Sequence, residues 1–460
     1  MPSGEMKKKL KNFFRASSMR TVVLGFGCII LIGAFFLCLP ISHKDGQWFP
    51  FIDALFTSTS AVCVTGLIVV DTAAEYSLFG QIVIMLLIQI GGLGFMTGAM
   101  LVFLILGKRI TLQQRLLVKE SFGEFKLQGL VVLIKKILLY TLVIEGVGAV
   151  LLMFAFVPEL GWGRGIFTSL FTSVSAFCNA GFDVLGEGEF VGLTPYASNV
   201  LVCLPIMLLI VTGGLGFSVL MEIVGIRNTR RVSMHARVVL GVTSALILIG
   251  AVLFMIFEWN RAFAHLDTGS KILAGFFQSI TPRTAGFNTV DQSTLSEPSR
   301  ILTVVLMFIG ASPASTGGGI KTTTFMILVL CVSSLLTSKK NVNIGKERIA
   351  EDTIRKALAI VTLALSTIII SAMLISIFEL NNAHHELMTT GNVLFECFSA
   401  FSTVGLSAGI TPYISNPSKI VLNFVMFIGR VGPLTMGVAL AKKSNKQDNI
   451  IFPDAKIMVG

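Results

Sequence analysis

The stretch Phe56-Thr-Ser-Thr-Ser-Ala-Val-Cys-Val-Thr-Gly-Leu67 decides the fold, because its pattern of residues returns three more times along the chain. In each copy a phenylalanine stands ten residues before a glycine, and a large apolar residue directly follows the glycine. The four pairs are Phe56 and Gly66, Phe171 and Gly181, Phe276 and Gly286, and Phe395 and Gly405. The copies recur every 105 to 119 residues, a period that favours four structural modules around one axis over a solenoid.

The composition is that of a membrane protein. Hydrophobic residues make up 53% of the chain and charged residues only 13%, which is more apolar surface than a soluble protein of 460 residues can bury. Mean hydropathy is +0.83. Stretches apolar enough to cross a hydrocarbon core of ~30 Å run over 21–41, 81–106, 130–157, 198–225, 238–258, 299–337, 357–379 and 419–441. These stretches predict eight spans, two for each repeat.

Each glycine motif falls between the two spans of its repeat. Residues 54–62 are rich in Ser and Thr and too few to cross the bilayer, which predicts a half-length helix that enters the membrane and turns back. Irregular backbone at membrane depth is tolerated where it lines a watery path. The predicted fold is therefore an all-α polytopic membrane protein with four tandem span, re-entrant loop and span repeats around a pseudo-fourfold pore. The predicted divisions are a cytoplasmic amphipathic segment at 1–20, repeats at 21–118, 119–230, 231–345 and 346–443, and a cytoplasmic tail at 444–460.

The basic residues predict the orientation. Of 36 Lys and Arg, 27 lie in 1–20, 107–136, 226–240, 338–356 and 442–460, so these segments and both termini are expected on the cytoplasmic side. This bias accounts for the formal charge of +11 without a nucleic-acid partner. The basic N-terminal segment fits either an amphipathic helix on the anionic inner leaflet or a solvated tail.

Four short strands carry the expected chemistry. They consist of Val64, Thr65, Gly66 and Leu67; Asn179, Ala180, Gly181 and Phe182; Thr284, Ala285, Gly286 and Phe287; and Thr403, Val404, Gly405 and Leu406. Four nearly equivalent strands can aim backbone carbonyls inward and replace the water shell of a monovalent cation such as K⁺, with glycine allowing unusual φ angles and close approach. The alternative is that the glycines are helix-packing positions of the small-xxx-small kind.

The third repeat departs from the others at 310–324, where an expected helix is interrupted. Pro313 and three consecutive glycines do not sustain a helix, and a broken helix inside a membrane lines a conduction or binding path. We predict a flexible plug under the filter strands that moves aside to open the pore. The residues assigned to gating are Gly310, Pro313, Ser315, Thr316, Gly317, Gly318, Gly319 and Lys321, together with Arg430 from the fourth repeat.

Arg430 lies in the middle of a predicted span, where an arginine is costly and indicates a function. We expect it to face the pore, as a positive barrier to cations and a partner for the plug. The alternative is a structural ion pair with an acid such as Glu145 or Glu222. Two further motifs, Gly91-Gly-Leu-Gly-Phe95 and Gly213-Gly-Leu-Gly-Phe217, lie within apolar spans and indicate close helix packing rather than nucleotide binding.

These motifs resemble the Trk/Ktr/HKT superfamily of cation transporters, and most closely its bacterial Ktr-type membrane subunits. The resemblance covers nearly the whole chain and rests on residues 65–67, 179–182, 283–287 and 403–406. In that family a glycine at the position of Gly66 accompanies potassium permeation and a serine accompanies sodium selectivity. The family also places an intramembrane gating loop at the position of 310–324.

The resemblance further implies a homodimer in a bacterial plasma membrane, with the tail at the dimer interface. It implies a cytosolic ring of nucleotide-binding regulatory subunits that responds to ATP and ADP, whereas this chain has no cofactor of its own. The basic inner loops are the expected docking surface, although they also serve as plain topology signals. A potassium uptake protein is the favoured function; a sodium-selective or proton-coupled carrier is the alternative. An intramembrane enzyme is disfavoured, because no predicted span holds a histidine or paired acids.

Overall fold

The computed structural model describes residues 18–94, 130–186, 192–229, 232–339, 341–345 and 347–440. The basic loop at 108–126, most of the N-terminal segment and the tail at 444–460 lie outside these ranges, and so do the predictions made for them.

The described residues form helices in the order span, half-helix and second span, repeated four times. The first repeat has α1 (Ser18–Cys38), α2 (Phe51–Cys63), α3 (Thr72–Glu75) and α4 (Leu78–Leu93). The second has α5 (Leu130–Leu160), α6 (Trp162–Cys178), α7 (Val200–Leu215) and α8 (Phe217–Thr229). The third has α9 (Met234–Glu258), α10 (Thr268–Ile280), α11 (Glu297–Phe308) and α12 (Thr322–Leu336). A hairpin of β1 (Asn343–Ile344) and β2 (Glu347–Arg348) precedes the fourth, which has α13 (Glu351–Phe378), α14 (Thr390–Ser402), α15 (Asn416–Val431) and α16 (Pro433–Leu440).

The first spans are continuous helices, whereas the second spans of the second, third and fourth repeats are broken within the described residues. Three described helices are long and apolar enough to cross a bilayer alone: Ile134–Leu160, Met234–Glu258 and Glu351–Phe378. Helices α7 and α8 together pass the same test but bend by 103°. The predicted spans over 198–225 and 419–441 are therefore not continuous helices. Each is interrupted at a glycine, Gly216 with φ 90° and Gly432 with φ 95°, a conformation that ends a helix.

The half-helices α2, α6, α10 and α14 confirm the predicted re-entrant elements. Helix α2 has 13 residues and is about 20 Å long, short of the ~30 Å hydrocarbon core. Its C-terminus is a Schellman motif, in which the Thr65 amide donates to the Ser60 carbonyl (2.8 Å) and the Val64 amide to that of Ala61 (3.1 Å). Helices α6 and α14 end in the same way.

Serine hydroxyls tie three half-helices to the first spans of their own repeats. Ser58 donates to the carbonyl of Ile30 at 2.7 Å, Ser173 to that of Glu145 at 2.6 Å, and Ser279 to that of Ile247 at 2.8 Å. A glycine of the first span lies opposite each serine: Gly33, Gly148 and Gly250. All Ser and Thr residues of α2 and α6 are buried inside the bundle.

Candidate functional site

Three glycine strands follow their half-helices directly, the strand of the third repeat is separated from the end of α10 by three residues, and all four begin in an unusual backbone conformation. Val64, Asn179 and Thr403 are left-handed, with φ of 57°, 59° and 52°, and Thr284 has φ 72°. A β-branched residue in this region is strained and persists where the surrounding structure enforces it. Each strand then has a second positive φ at its glycine. Neither composition nor hydropathy reveals that the first and third residues of each strand have a positive φ angle.

The four glycines form a closed ring. A Cβ atom added to Gly66 would collide with the carbonyl oxygen of Ala180, and one on Gly181 would lie 2.7 Å from that of Ala285. Gly286 faces the carbonyl of Val404 in the same way, and Gly405 faces that of Thr65. The strands therefore follow one another in the order 1, 2, 3, 4 and back to 1. This close approach is why only glycine fits at the third position of each strand.

Side chains behind the ring hold the strands in place. The Ser60 hydroxyl accepts a hydrogen bond from the Gly66 amide at 3.1 Å, and Ser399 accepts one from Gly405 at 3.0 Å. In the third repeat, where Ile280 replaces this serine, the Thr281 hydroxyl donates to the Phe287 carbonyl at 2.7 Å. The residues after the glycines, Leu67, Phe182, Phe287 and Leu406, are all buried.

A cavity of about 390 Å³ lies on one side of the ring and is lined by all four glycines. We call it the vestibule. Its wall carries three carboxylates, those of Asp71, Asp183 and Asp291, which the sequence reasoning missed. Removal from bulk water raises the pKa of the Asp183 carboxyl to about 6, and the neighbouring Asp71 carboxylate adds to the rise. These acids could have been found in the sequence, because an aspartate stands two to five residues after the strand glycine in each of the first three repeats.

The intramembrane loop lies on the opposite side of the ring, directly against the starts of the strands. A Cβ added to Gly317 would collide with the Thr284 hydroxyl, and one on Gly318 with that of Thr403. The Lys321 ammonium donates to the Gly317 carbonyl at 2.8 Å. The helix break spans 309–321, slightly shorter than the predicted 310–324, because the three threonines at 322–324 already belong to α12.

The same loop fills the break between α7 and α8. The amides of Ser312 and Thr316 donate to the carbonyls of Gly214 (3.0 Å) and Gly213 (3.3 Å), and the Phe217 amide donates to the Ala314 carbonyl (2.9 Å). Interrupting a helix frees backbone groups that need partners inside a membrane. The loop of one repeat thus satisfies the broken helix of another, a link with no local sequence signal.

Arg430 joins the loop to the first repeat. Its guanidinium donates to the carbonyl of Thr316 and to the carbonyls of Gly91 and Gly92, the last at 3.2 Å. When the repeats are aligned, Arg430 stands at the position of Gly92 in the first repeat and Gly214 in the second. The fourth repeat thus has an arginine where these two have a glycine.

Neither glutamate considered as a partner of Arg430 contacts it among the described residues. Glu222 accepts hydrogen bonds from the amide (3.0 Å) and hydroxyl (2.8 Å) of Ser233. Glu145 bonds the Gln89 side chain and lies 3.9 Å from the Cys178 thiol.

Comparison with known proteins identifies the family. The family model described as "TrkH: Cation transport protein" matches residues 7–451. The chain belongs to this family of cation transport proteins. It is 40% identical over 457 residues to the Ktr system potassium uptake protein B of Bacillus subtilis, covering 99% of each chain. It is 39% identical over 459 residues to the potassium/sodium uptake protein NtpJ of Enterococcus hirae, again covering 99% of each.

The fold is also that of a solved family member. The crystal structure of the potassium transporter TrkH from Vibrio parahaemolyticus matches with a TM-score of 0.71 at 18% identity, covering 91% of this chain and 84% of that one. The predicted all-α repeat fold and the predicted family are thereby confirmed, and membership makes the chain a cation transporter of the membrane.

Proposed function

We propose that this chain is the membrane subunit of a potassium uptake system and that cations cross it through the ring of glycine strands. The closed ring carries the proposal, because four strands in cyclic order bring sixteen residues of nearly equivalent backbone around one axis. Carbonyl oxygens arranged in this way replace the hydration shell of a monovalent cation. The names of the relatives from B. subtilis and E. hirae, which specify potassium and potassium with sodium, support the choice of ion.

The ion-binding groups are the backbone carbonyls of residues 64–67, 179–182, 284–287 and 403–406. At the inner end, the buried Thr403 hydroxyl has no hydrogen-bond partner in the described part of the chain and is available as a further oxygen ligand. The membrane potential drives uptake with about 2.3 kcal/mol per charge for every 100 mV.

The loop at 309–321 is the proposed gate and Arg430 its latch. Its glycines lie against Thr284 and Thr403 at the inner end of the strands, where a displaced loop would open the path. Arg430 donates to the Thr316 carbonyl of this loop from another helix and so holds the loop beneath the strands, whereas the Lys321 bond to Gly317 lies within the loop. The charge of Arg430 also opposes the passage of cations while the loop is closed.

The proposed assembly follows the resemblance to Ktr-type subunits. We expect a homodimer in a bacterial plasma membrane, cytoplasmic termini, four repeats with the boundaries given above, and a cytosolic nucleotide-binding ring on the basic inner face. Potassium, or sodium in its place, is transported cargo, and ATP and ADP belong to the regulatory partner.

The test is flux of potassium and of sodium through the purified protein in liposomes, with Gly66→Asp in parallel. The matched control is Gly163→Asp, which adds the same side chain at an open position in the first turn of α6. We expect potassium-preferring flux that Gly66→Asp abolishes and Gly163→Asp leaves intact.

Other outcomes separate the alternatives. Flux without preference between the two ions would favour the mixed transport named for the E. hirae relative. Flux that survives Gly66→Asp would refute conduction through the glycine ring. If the protein alone is silent, the same comparison is repeated with deletion of residues 314–319, which removes the proposed gate.

A further inference from the structure

A carboxylate is buried behind the fourth glycine strand. Glu396, on α14, is 1% exposed and accepts hydrogen bonds from three groups of the segment that follows the strand. Its Oε1 accepts from the Ser407 hydroxyl and from the Ala408 amide (3.1 Å), and its Oε2 accepts from the Thr411 hydroxyl (3.0 Å). Three donors that point at one carboxyl group stabilise its ionised form.

This network shapes the wall of the vestibule. Ser407 and Gly409 line the cavity, and Ser407 directly follows Leu406, the last residue of the strand. The Ser407 hydroxyl also accepts a hydrogen bond from the Gly409 amide (2.9 Å). Glu396 therefore fixes both the outer end of the strand and the surface over which a cation approaches it.

The third repeat performs the same mechanical task without a charge. Gln278 on α10 and Gln292, six residues after Gly286, exchange side-chain hydrogen bonds of 2.8 and 3.2 Å. Thr411 likewise stands six residues after Gly405. A neutral amide pair thus suffices to tie a half-helix to the segment after its strand, so the negative charge of Glu396 calls for a separate explanation.

The distribution of acids around the vestibule provides one. Asp71, Asp183 and Asp291 give the first three repeats one vestibule carboxylate each, whereas residues 405–415 of the fourth contain no Asp or Glu. At the position nine residues before the glycine, where the fourth repeat has Glu396, the other three have Thr57, Thr172 and Phe277. The fourth carboxylate is therefore present, but it is set behind the wall instead of in it.

We propose that Glu396 is a positioning residue for cation selection, which holds the outer end of the fourth glycine strand and supplies the fourth negative charge of the vestibule. The inference rests on the proposed function of the ring. A charge behind the wall attracts a cation without competing with the strand carbonyls as a direct ligand. It therefore acts on the affinity for the cation and on the choice between potassium and sodium, through Ser407 and the strand.

The test compares Glu396→Gln with wild type in liposomes, measuring potassium concentration at half-maximal uptake, maximal rate and the ratio of potassium to sodium flux. Glutamine keeps the size of the side chain and imitates the neutral pair of the third repeat. We expect the half-saturating potassium concentration to rise about fivefold, which corresponds to the Coulomb energy of two unit charges ~16 Å apart at an effective dielectric constant of about 20, and the flux ratio to fall. Ser407→Ala should shift both quantities in the same direction.

The control is Glu379→Gln, because Glu379 is also 1% exposed and accepts from the Ser415 amide and hydroxyl at 2.8 and 2.6 Å, away from the strands. Unchanged half-saturation and ratio in Glu396→Gln would overturn the inference. A fall in maximal rate alone, matched by Glu379→Gln, would show a merely structural role and overturn it equally. Gly66→Asp is measured in the same preparation: if its flux persists, the proposed pathway fails, whereas abolished flux with an unaffected Glu396→Gln refutes this inference alone.

Discussion

Replacing Arg430 with methionine should release the intramembrane loop. Methionine keeps much of the apolar volume of the side chain and removes the donors to the carbonyls of Thr316, Gly91 and Gly92. Only the first of these carbonyls belongs to the loop. The other two belong to α4 of the first repeat, so Arg430 acts as a bridge between a proposed moving part and a fixed one.

The size of the effect follows from the contact with the loop. A hydrogen bond from a charged donor contributes about 1.5 to 3 kcal/mol. If that contact exists only while the loop is closed, its loss shifts the ratio of open to closed molecules by about 10-fold to 150-fold. Uptake through a pore that is mostly closed should rise by the same factor, until the open state predominates.

The assay is potassium uptake into liposomes with no cytosolic partner, for wild type, Arg430→Met, deletion of residues 314–319, and the two changes combined. A latch acts through the loop, so Arg430→Met should add nothing once the loop is deleted. A pure electrostatic barrier predicts an increase in both backgrounds. Arg300→Met is the control, since Arg300 is an arginine of α11 that contacts Glu297 and Asn392 instead of the loop.

Unchanged or reduced flux in a folded Arg430→Met protein would refute the reasoning. Folding is checked by thermal unfolding and gel filtration, because the substitution also leaves the carbonyls of Gly91 and Gly92 without this donor. A rise equal to that of Arg300→Met would show a nonspecific loosening of the bundle and count against the latch.

Three further predictions concern the glycine strands, the ion pair between the fourth and first repeats, and the vestibule. Gly405→Ala should abolish flux, because its Cβ would collide with a backbone carbonyl that cannot move aside; the measurement is the liposome assay. Lys419→Met should lower the free energy of unfolding by about 3 kcal/mol, the low end of the range for a buried ion pair, since it breaks the 2.6 Å pair with Asp53 that joins the fourth repeat to the first; the measurement is thermal unfolding. Acidification through about pH 6 should weaken potassium affinity, because Asp183 is ionised above its raised pKa of about 6 and neutral below it. Asp183→Asn should flatten this dependence in uptake measured across the same range.

Each of these has a matched comparison. Gly161→Ala introduces the same strain, at φ 79°, where no atom lies within 4 Å, so equal loss of flux in both glycine variants would contradict the collision argument. Combining Lys419→Met with Asp53→Leu removes both charges and should recover most of the stability, whereas an additive loss would contradict the ion-pair account. A pH profile that persists in Asp183→Asn would assign the titration to another group.

The sequence by itself determined the repeat architecture. Hydropathy locates spans because the length and apolarity of a membrane helix are local properties. The recurring frame that ends at Gly66 predicted the half-helices and strands, because a helix C-terminus and a close backbone approach impose local residue choices. The family followed from the same motifs, and the comparisons confirm it.

Tertiary structure alone decided which groups meet. The sequence predicted Arg430 as a partner of the loop but did not identify the Thr316 carbonyl as its contact. It also does not show that Lys419 pairs with Asp53 across 366 residues, or that Glu396 lies behind the vestibule wall. It also gave no sign of the breaks at Gly216 and Gly432, since an apolar stretch with a glycine remains compatible with an unbroken span. These features arise because the ring closes four distant repeats on one another, and that closure fixes side-chain and backbone partners which no local pattern encodes.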